Sequence, residues 1–397
     1  CFKINFMKHK ITLLIIFVGI LIFSNIETHA QIQNNDFIAD NFNLQSDSPN
    51  VDSIDVNNAM AIPNKVTVSG YLEVYYCYDF SNPDNHERPS FIYSHNRHNE
   101  VNLNLGLIKL NYANNLVRSN FALMAGTYAN ANLAAEPGVL KNIYEANLGV
   151  RISKKNEIWV DAGIMPSHIG FESAIGKDCW NLTRSLPAEN SPYYESGVKI
   201  SYTNKNQKLF VSGLILNGWQ RMQRVYGNNT SAIGHQLTYK PNDKVTLNSS
   251  SFIGSDFPDS LKTIRYFHDF YSWFQLNPKL EIMIGFDIGA NQINADTVYN
   301  QVWYSPVIIA KVPVAKKITL AARAEYFNDK NGAIIATSTP NGFQTFGYSV
   351  NLDYLIADLI LWRIEMRGLQ SKDKIFYAED KLVNTNYFIT SSLAISL

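Results

Sequence analysis

Charge is scarce in this sequence, and it is balanced. Asp, Glu, Lys and Arg make up 17% of the 397 residues, 34 basic against 34 acidic. Soluble domains usually carry about 25%. A net charge near zero also gives no global pull toward nucleic acid or an anionic surface. Cysteine is scarcer still: Cys1, Cys77 and Cys179. No CxxC pair and no Cys/His ligand spacing occurs, so neither a zinc site nor another cofactor is expected. Cys77 and Cys179 could pair only in an oxidising compartment, and two unpaired, partly buried thiols are the simpler expectation. After Phe23 no apolar run approaches 18 residues, which excludes a bundle of membrane-spanning helices. GxSxG, HExxH and a phosphate loop are all missing. Ser167 and His168 are neighbours in sequence, which does not build a nucleophile and its base. No enzyme is expected.

What the sequence has is aromatic side chains, at 13%, and alternation. The N-terminal part comes first. Met7 is followed by Lys8, His9 and Lys10, then by an apolar run from Ile11 to Phe23 and by Thr28-His29-Ala30. These are the parts of a secretory signal peptide. Residues 1–30 are read as that signal, with 1–6 a mis-called start. Residues 31–64 are rich in Asn, Asp and Ser and are read as a polar periplasmic leader without a core.

From Val66 the pattern has period 2. Val66, Val68, Leu72, Val74, Tyr76 and Tyr78 alternate with Thr67, Ser69, Tyr71, Glu73, Tyr75 and Cys77. A two-faced strand of this length suits a membrane barrel, where strands need about 9–11 residues. Further strands are predicted near 100–112, 117–128, 143–152, 157–165, 194–203, 208–219, 232–241, 244–254, 264–276, 279–292, 300–314, 317–327, 342–355, 359–371 and 385–397. Short turns such as Pro241-Asn242-Asp243 and Asn277-Pro278 alternate with long connections near 81–99, 129–142, 166–193, 220–231, 255–263, 293–299, 328–341 and 372–384. Short-then-long alternation with an even strand count is the mark of periplasmic turns and extracellular loops. The expected fold of 65–397 is therefore all-β: a transmembrane antiparallel up-and-down barrel of about 16 strands, with both termini periplasmic. Tyr78, Tyr112, Tyr202, Tyr239, Tyr354 and Trp362 are candidates for the interfacial girdles.

A Lys or Arg facing lipid at mid-depth costs about 2–4 kcal/mol, so mid-strand charges report the lumen. This rule assigns Glu73, Arg118, Glu145, Arg151, Asp161, Glu195, Lys199, Asp287, Arg323, Glu325, Arg363, Glu365 and Arg367 inward; Asp353 follows them. The strands near 208–219 and 264–276 are mixed on both faces and resist phasing, as strands bordering packed loops or a subunit interface would. In the first long connection, His86, His95 and His98 sit near Glu87 and Glu100. Loop histidines of this kind are expected to be solvated rather than metal-bound.

The third long connection, about 166–193, keeps Ile169, Phe171, Trp180, Leu182 and Leu186 among its charges. A long loop with apolar anchors packs against something and is often functional. It is expected to fold into the lumen, where Glu172, Lys177, Asp178, Arg184 and Glu189 would form the constriction and select solutes by charge.

DAGIMPSHIGFES (Asp161–Ser173) and NLTRSLPAENSPYYESG (Asn181–Gly197) resemble the OmpL-like β-barrel porins of Gram-negative outer membranes, and VSGYLEVYYCYDF (Val68–Phe80) is similar to that family's first strand. The resemblance covers roughly Val66 to Leu397 and is most specific around the third loop. It implies an outer-membrane porin and brings no catalytic or ligand residues. The expected function is passive diffusion of small hydrophilic solutes. A non-conducting barrel used for adhesion or partner docking is the alternative. The expected partners are outer-membrane lipid, the barrel-assembly machinery, which would read the alternating segment Tyr387–Leu397, and the solutes themselves. By analogy with other sixteen-strand pores a homo-trimer is the expected assembly, and no nucleic acid is involved.

Overall fold

The structure, a computed structural model, describes residues 65–261, 263–293, 301–378 and 381–397. The expected signal (1–30) and leader (31–64) lie outside the described residues, as does nearly all of the connection expected near 293–299.

Alternation and turn chemistry together produce one closed barrel. Its strands are β1 (Lys65–Asp79), β2 (Val101–Ala113), β3 (Val117–Ala125), β4 (Ile143–Arg151), β5 (Glu157–Pro166), β6 (Tyr194–Thr203), β7 (Leu209–Leu216) and β8 (Ala232–Asn242). The wall continues through β9 (Val245–Gly254), β10 (Arg265–Asn277), β11 (Leu280–Asn291), β12 (Gln301–Ala315), β13 (Ile318–Asp329), β14 (Phe343–Ala357) and β15 (Ile360–Ser371). A small hairpin, β16 (Phe376–Ala378) and β17 (Lys381–Val383), stands apart before β18 (Thr385–Ser396) closes the wall. Each strand pairs antiparallel with its sequence neighbour in the barrel, and β1 pairs with β18 with Tyr71 opposite Ser396.

Two strands stop earlier than expected. The strand near 117–128 ends at Ala125 because Gly126 turns the chain at φ 130°, where a Cβ would lie 2.3 Å from the Asn104 carbonyl oxygen. Helix α1 (Thr127–Asn132) follows at once. The strand near 208–219 ends at Leu216, where the Asn217 side chain donates to the Met222 carbonyl and folds the connection back.

Outward positions carry the apolar set: Leu72 and Val74 on β1, Leu148 and Val150 on β4, Val198 and Ile200 on β6, Ile284, Phe286 and Ile288 on β11, and Val350 on β14. So large an exposed apolar belt is untenable in water and required in hydrocarbon. Tyr78, Tyr112, Tyr202, Tyr239, Tyr354 and Trp362 share this outward parity.

Inside, toward the long-loop ends, lie two apolar clusters. One joins Tyr75, Phe252, Phe267, Trp303, Phe327, Phe343 and Phe388 of the wall to loop residues Phe91, Ile92, Ile169, Leu186, Ile335 and Phe376. The other joins Leu105, Leu107, Ala122 and Met124 to Tyr128, Ala129 and Leu133 of the second loop and to Ala174 of the third. Burying a side chain of this size contributes about 1.5–3 kcal/mol, so these loops are docked parts of the fold.

Candidate functional site

The third loop leaves β5 at Pro166 and returns at Tyr194, and between them it crosses the inside of the barrel. Its departure depends on Gly163. That residue sits at φ 129°, and a Cβ there would lie 2.2 Å from the Ala146 carbonyl oxygen. The base is closed by the Ser167 amide donating to the Tyr193 carbonyl. His168 then bridges two strands, its ring bonding the Glu195 carboxylate on β6 at 2.7 Å and the Ser251 carbonyl on β9 at 2.8 Å. Burial opposes the charged ring, but Glu195 and the Ser251 carbonyl outweigh it and raise the His168 pKa. Beyond it the Gly170 amide donates to Asp269 on β10, and Phe171 packs edge-on against Tyr271.

On the far wall the loop meets an alternating row of arginines and acids. Arg363 on β15 donates to the carbonyls of Gly176 at 2.6 Å, Cys179 at 2.8 Å and Trp180 at 3.1 Å, and it also grips Asp353 on β14 with two bonds. Arg323 on β13 donates to the Thr183 carbonyl at 2.6 Å, and Arg367 on β15 to the Arg184 carbonyl at 2.7 Å. The acids take the loop amides. Glu365 accepts from Thr183, and Glu325 accepts from Leu186 at 2.6 Å. The neutral Asn351 on β14 accepts from the Leu182 amide. The same side chains also pair laterally, Arg323 with Glu325 and Glu365, and Arg367 with Glu325. Their buried charges are thus both paired and hydrogen-bonded, as the cost of desolvation demands.

All the residues assigned inward by charge lie on the inner face, but they divide into two sets. Glu73, Glu195, Arg323, Glu325, Arg363, Glu365 and Arg367 are buried beneath the loops. Glu73 accepts from Asn104 and stands beside the loop backbone at Gly176, where a Cβ would lie 2.6 Å from its carboxylate. Asp287 is buried too, directly opposite Asp269 in the β10–β11 register. Nearer the short turns the pairs are Lys109–Glu145 at 2.7 Å, Arg118–Asp161 at 2.5 Å, Arg151–Glu157 at 2.5 Å and Lys311–Glu281 at 2.9 Å. Lys109, Arg118, Arg151 and Lys311 keep part of their surface open, and Lys199 on β6 is likewise half-buried.

The five loop charges are not one field. Glu172 is buried and accepts from the Ser185 amide and hydroxyl. Arg184 is fully buried and donates to the Ser173, Leu182 and Ala174 carbonyls of its own loop. Glu189, at the end of helix α2 (Leu186–Glu189), accepts from the Tyr93 and Ser94 amides and so ties the first loop to the third. Burial lifts its pKa to about 7. These three anchor the loop instead of facing solvent, because packing loop against loop removes them from water. Lys177 and Asp178 are exposed and bonded to each other at 2.7 Å.

The histidines of the first loop also differ from expectation. His86 is exposed, but His95 and His98 are buried. The His98 ring accepts from the Asp79 amide, and burial lowers the His95 pKa although Glu73 lies 3.5 Å away. Among the described residues no group of three or more His, Cys, Asp or Glu is arranged to hold a metal. Cys77 and Cys179 are both free and buried.

Sequence reasoning missed the neutral partners Asn104, Asn351 and Ser349, whose hydroxyl accepts from the Asn181 side chain of the loop, and the acid Asp269. The inward parity of Ser349 and Asn351 was readable, but a polar inward residue alone does not announce a loop partner; Asn104 turns inward only through the bulge opposite Glu73 and Val74, and Asp269 lies on a strand whose faces are too alike to phase.

Solved structures share this architecture. An anion-selective porin from Comamonas acidovorans aligns with a TM-score of 0.58 at 9% identity, over 84% of this chain and 100% of that one. The outer membrane channel DcaP of Acinetobacter baumannii aligns at 0.56 and 9%, over 85% and 97%. The trimer form of OmpT from Vibrio cholerae aligns at 0.52 and 10%, over 84% and 99%. At such identities the likeness is one of fold. No curated protein matches the sequence. The family described as "Putative beta-barrel porin-2, OmpL-like" matches residues 65–397, the whole of the barrel. Family and fold point to a channel rather than an enzyme, and the chain belongs to the OmpL-like β-barrel porins.

Proposed function

We propose that this protein is a porin of the Gram-negative outer membrane through which small hydrophilic solutes diffuse passively, with the third loop as the constriction. The observation that carries this reading is the clamp. Arg323, Arg363 and Arg367 hold the far side of the loop against the inner wall, and a loop held there supports the reading that it narrows the cross-section. Selection by charge then falls to groups that keep contact with water: Lys177 and Asp178 at the loop, and on the wall Lys109 and Arg118, whose acid partners Glu145 and Asp161 are buried, with the half-buried pair Lys311–Glu281. The short-turn end, and with it Lys65 and Leu397, faces the periplasm in this reading. Assembly draws on the barrel-assembly machinery, and the functional unit contains more than one copy.

The test is conductance of the folded protein in planar bilayers. Discrete channel openings are expected, and deletion of residues 175–186 should raise their amplitude. Protein that never opens a channel would overturn the porin reading. An unchanged amplitude after deletion would remove the loop from the pathway.

One observation favours the second reading, a docking barrel. The buried rings of Phe91 in the first loop and Phe376 in the last pack together and against Phe343 and Phe327 of the wall, so loops from different hairpins are held side by side at the long-loop end. A channel-silent protein that binds a cell-surface ligand through these loops would establish that role instead.

A further inference from the structure

The outward face of the barrel is apolar at mid-depth almost everywhere. Ser119 on β3 stands singly between Tyr112 and Leu148. Ser391 on β18 is satisfied by the Trp362 indole and the Arg363 carbonyl. One region breaks the rule. At the centres of β8, β9 and β10 the outward positions include His235, Ser249, Ser251, His268 and Ser272, all half-buried, with the exposed Phe270 between the last two. The register sets His235 and His268 on either side of Ser251. The His235 ring bonds the Ser251 hydroxyl at 2.5 Å and, through its other nitrogen, the Ser249 hydroxyl at 3.5 Å; the Ser249 hydroxyl also bonds the His268 ring at 3.0 Å, and the two rings are 5.6 Å apart. Gly213 on β7 lies opposite His235, so the neighbouring surface is flat.

Imidazoles and hydroxyls have more donor and acceptor capacity than these bonds use. Hydrocarbon can satisfy none of the remainder, and each polar group left in it is costly. Small residues mixed with Ser and His are instead the material of protein contacts within membranes, where close backbone approach and cross-contact hydrogen bonds replace the hydrophobic effect.

We propose that the outward face of β7 to β10 is where a second copy of this chain docks. The inference rests on the chain being an outer-membrane barrel, and it names the surface by which copies meet. A copy of itself is the partner that fits. The patch holds no lysine, arginine or carboxylate, so it asks for no oppositely charged surface, and each imidazole or hydroxyl both donates and accepts, so the patch complements itself. Flanked by Val198 and Ile200 on β6 and by Ile284 and Phe286 on β11, it forms a strip six strands wide. At about 4.8 Å per strand and an apolar band about 25 Å tall, the strip offers roughly 700 Å² per copy. Two such strips bury about 1,400 Å², within the range of stable interfaces. The inner side of the same wall seats the root of the third loop, since His168 bonds the Ser251 carbonyl and accepts at its own carbonyl from Ser250. Contact between copies therefore braces the strands that hold the loop.

Photo-cross-linking in the outer-membrane fraction of a Gram-negative host tests this, with p-benzoylphenylalanine in place of Ser251 or, eight strands away on β1, of Leu72. Irradiation should give an adduct of two copies of this chain from position 251 and lipid adducts alone from position 72. Lipid adducts alone from 251, or an adduct with a different protein, would overturn the proposal while the membrane reading stands. No lipid adduct from either position, with the chain released from membranes without detergent, would overturn the membrane reading itself. The pair His235→Phe and His268→Phe gives a second measurement. Its barrel should stay folded and heat-modifiable while the detergent-solubilised assembly falls to one copy, and an assembly of unchanged mass would refute the interface.

Discussion

Replacing Arg363 with methionine should release the third loop while leaving the wall intact. The guanidinium donates to three loop carbonyls, those of Gly176, Cys179 and Trp180, and holds Asp353 through two further bonds. A hydrogen bond from a charged group is worth about 1.5–3 kcal/mol. Summing three of them overstates the effect, because one side chain makes them all and they are not additive. Breaking one partner out of a buried ion pair costs about 3–5 kcal/mol, and that is the better guide to the loss of docking free energy. At 1.4 kcal/mol per tenfold change, the undocked population of the loop should rise by roughly a hundred- to a few thousand-fold. Amide hydrogen exchange reads this directly. The Leu182 and Thr183 amides donate to Asn351 and Glu365 across the interior, and both should exchange faster by that factor. The ladder amides of β14 around Val350 should be unchanged. Arg363→Lys keeps the charge without the planar fork and should fall between. If Leu182 and Thr183 exchange at the original rate in the methionine variant, the apolar contacts hold the loop and the arginine row does not. If the β14 ladder accelerates equally, Arg363 supports the wall rather than the loop.

Other expectations follow from the same geometry. The Glu189 pKa, lifted by burial from 4.5 to about 7, means that the folded chain keeps a proton which the unfolded chain releases. This group's contribution to stability should therefore fall as pH rises from about 4.5 to about 7 and stay level above. Urea midpoints across that range should show the slope and Glu189→Gln should remove it; an unaltered slope would assign it elsewhere. Asp269 and Asp287 face each other on adjacent strands, and like charges so placed are destabilising by a few tenths to about 1 kcal/mol. Asp287→Asn should raise the urea midpoint at pH 8, and a lowered midpoint would show that the pair is held by a proton or ion the substitution displaces. Gly163→Val forces a side chain to within 2.2 Å of the Ala146 carbonyl oxygen and should abolish heat-modifiable folding; a normally folded variant would mean that β5 can shift to make room.

The barrel was legible because its information is local. A strand with one face in lipid writes itself as alternation, and Pro241-Asn242-Asp243 or Asn277-Pro278 needs no tertiary partner to make a turn. Two strands, near 208–219 and 264–276, resisted, and the structure gives the reason. On β10 the inner face carries Phe267, Tyr271 and Trp273, which pack within the barrel, while the outer face carries His268 and Ser272. With Asp269 also inside and Phe270 also outside, both faces mix polar and apolar residues, and the usual contrast between a polar lumen and an apolar exterior is lost there. The loop charges resisted for a different reason. Nothing near Arg184 in sequence says that three carbonyls of its own loop will surround it, and nothing near Glu189 says that it will cap amides almost a hundred positions away. Burial of an ion depends on which distant wall it meets. A charged residue in a long loop thus reads as solvated until the fold is known.

That distinction bears on selectivity. A charge acts on a passing ion only if water and not protein surrounds it, and at physiological ionic strength only within a Debye length of about 8 Å. The arginine row fails this condition, since Arg323, Arg363 and Arg367 are spent on Thr183, Gly176 and Arg184 carbonyls and on their own acids. Lys177 and Asp178 meet it, with 41% and 44% of their side chains exposed, but they neutralise each other at 2.7 Å. Of the half-open wall charges, Lys109, Arg118, Arg151 and Lys311 are paired as well. A porin so built should discriminate weakly between small cations and anions, and its reversal potential in a salt gradient should lie near zero. Lys177→Glu turns the neutral pair at the loop into two negative charges and should move the reversal potential toward the cation's equilibrium value, with little change in single-channel amplitude. Asp178→Lys should move it the other way. Reversal potentials that stay at zero in both variants, with conductance intact, would place the conducting path more than a Debye length from the loop tip.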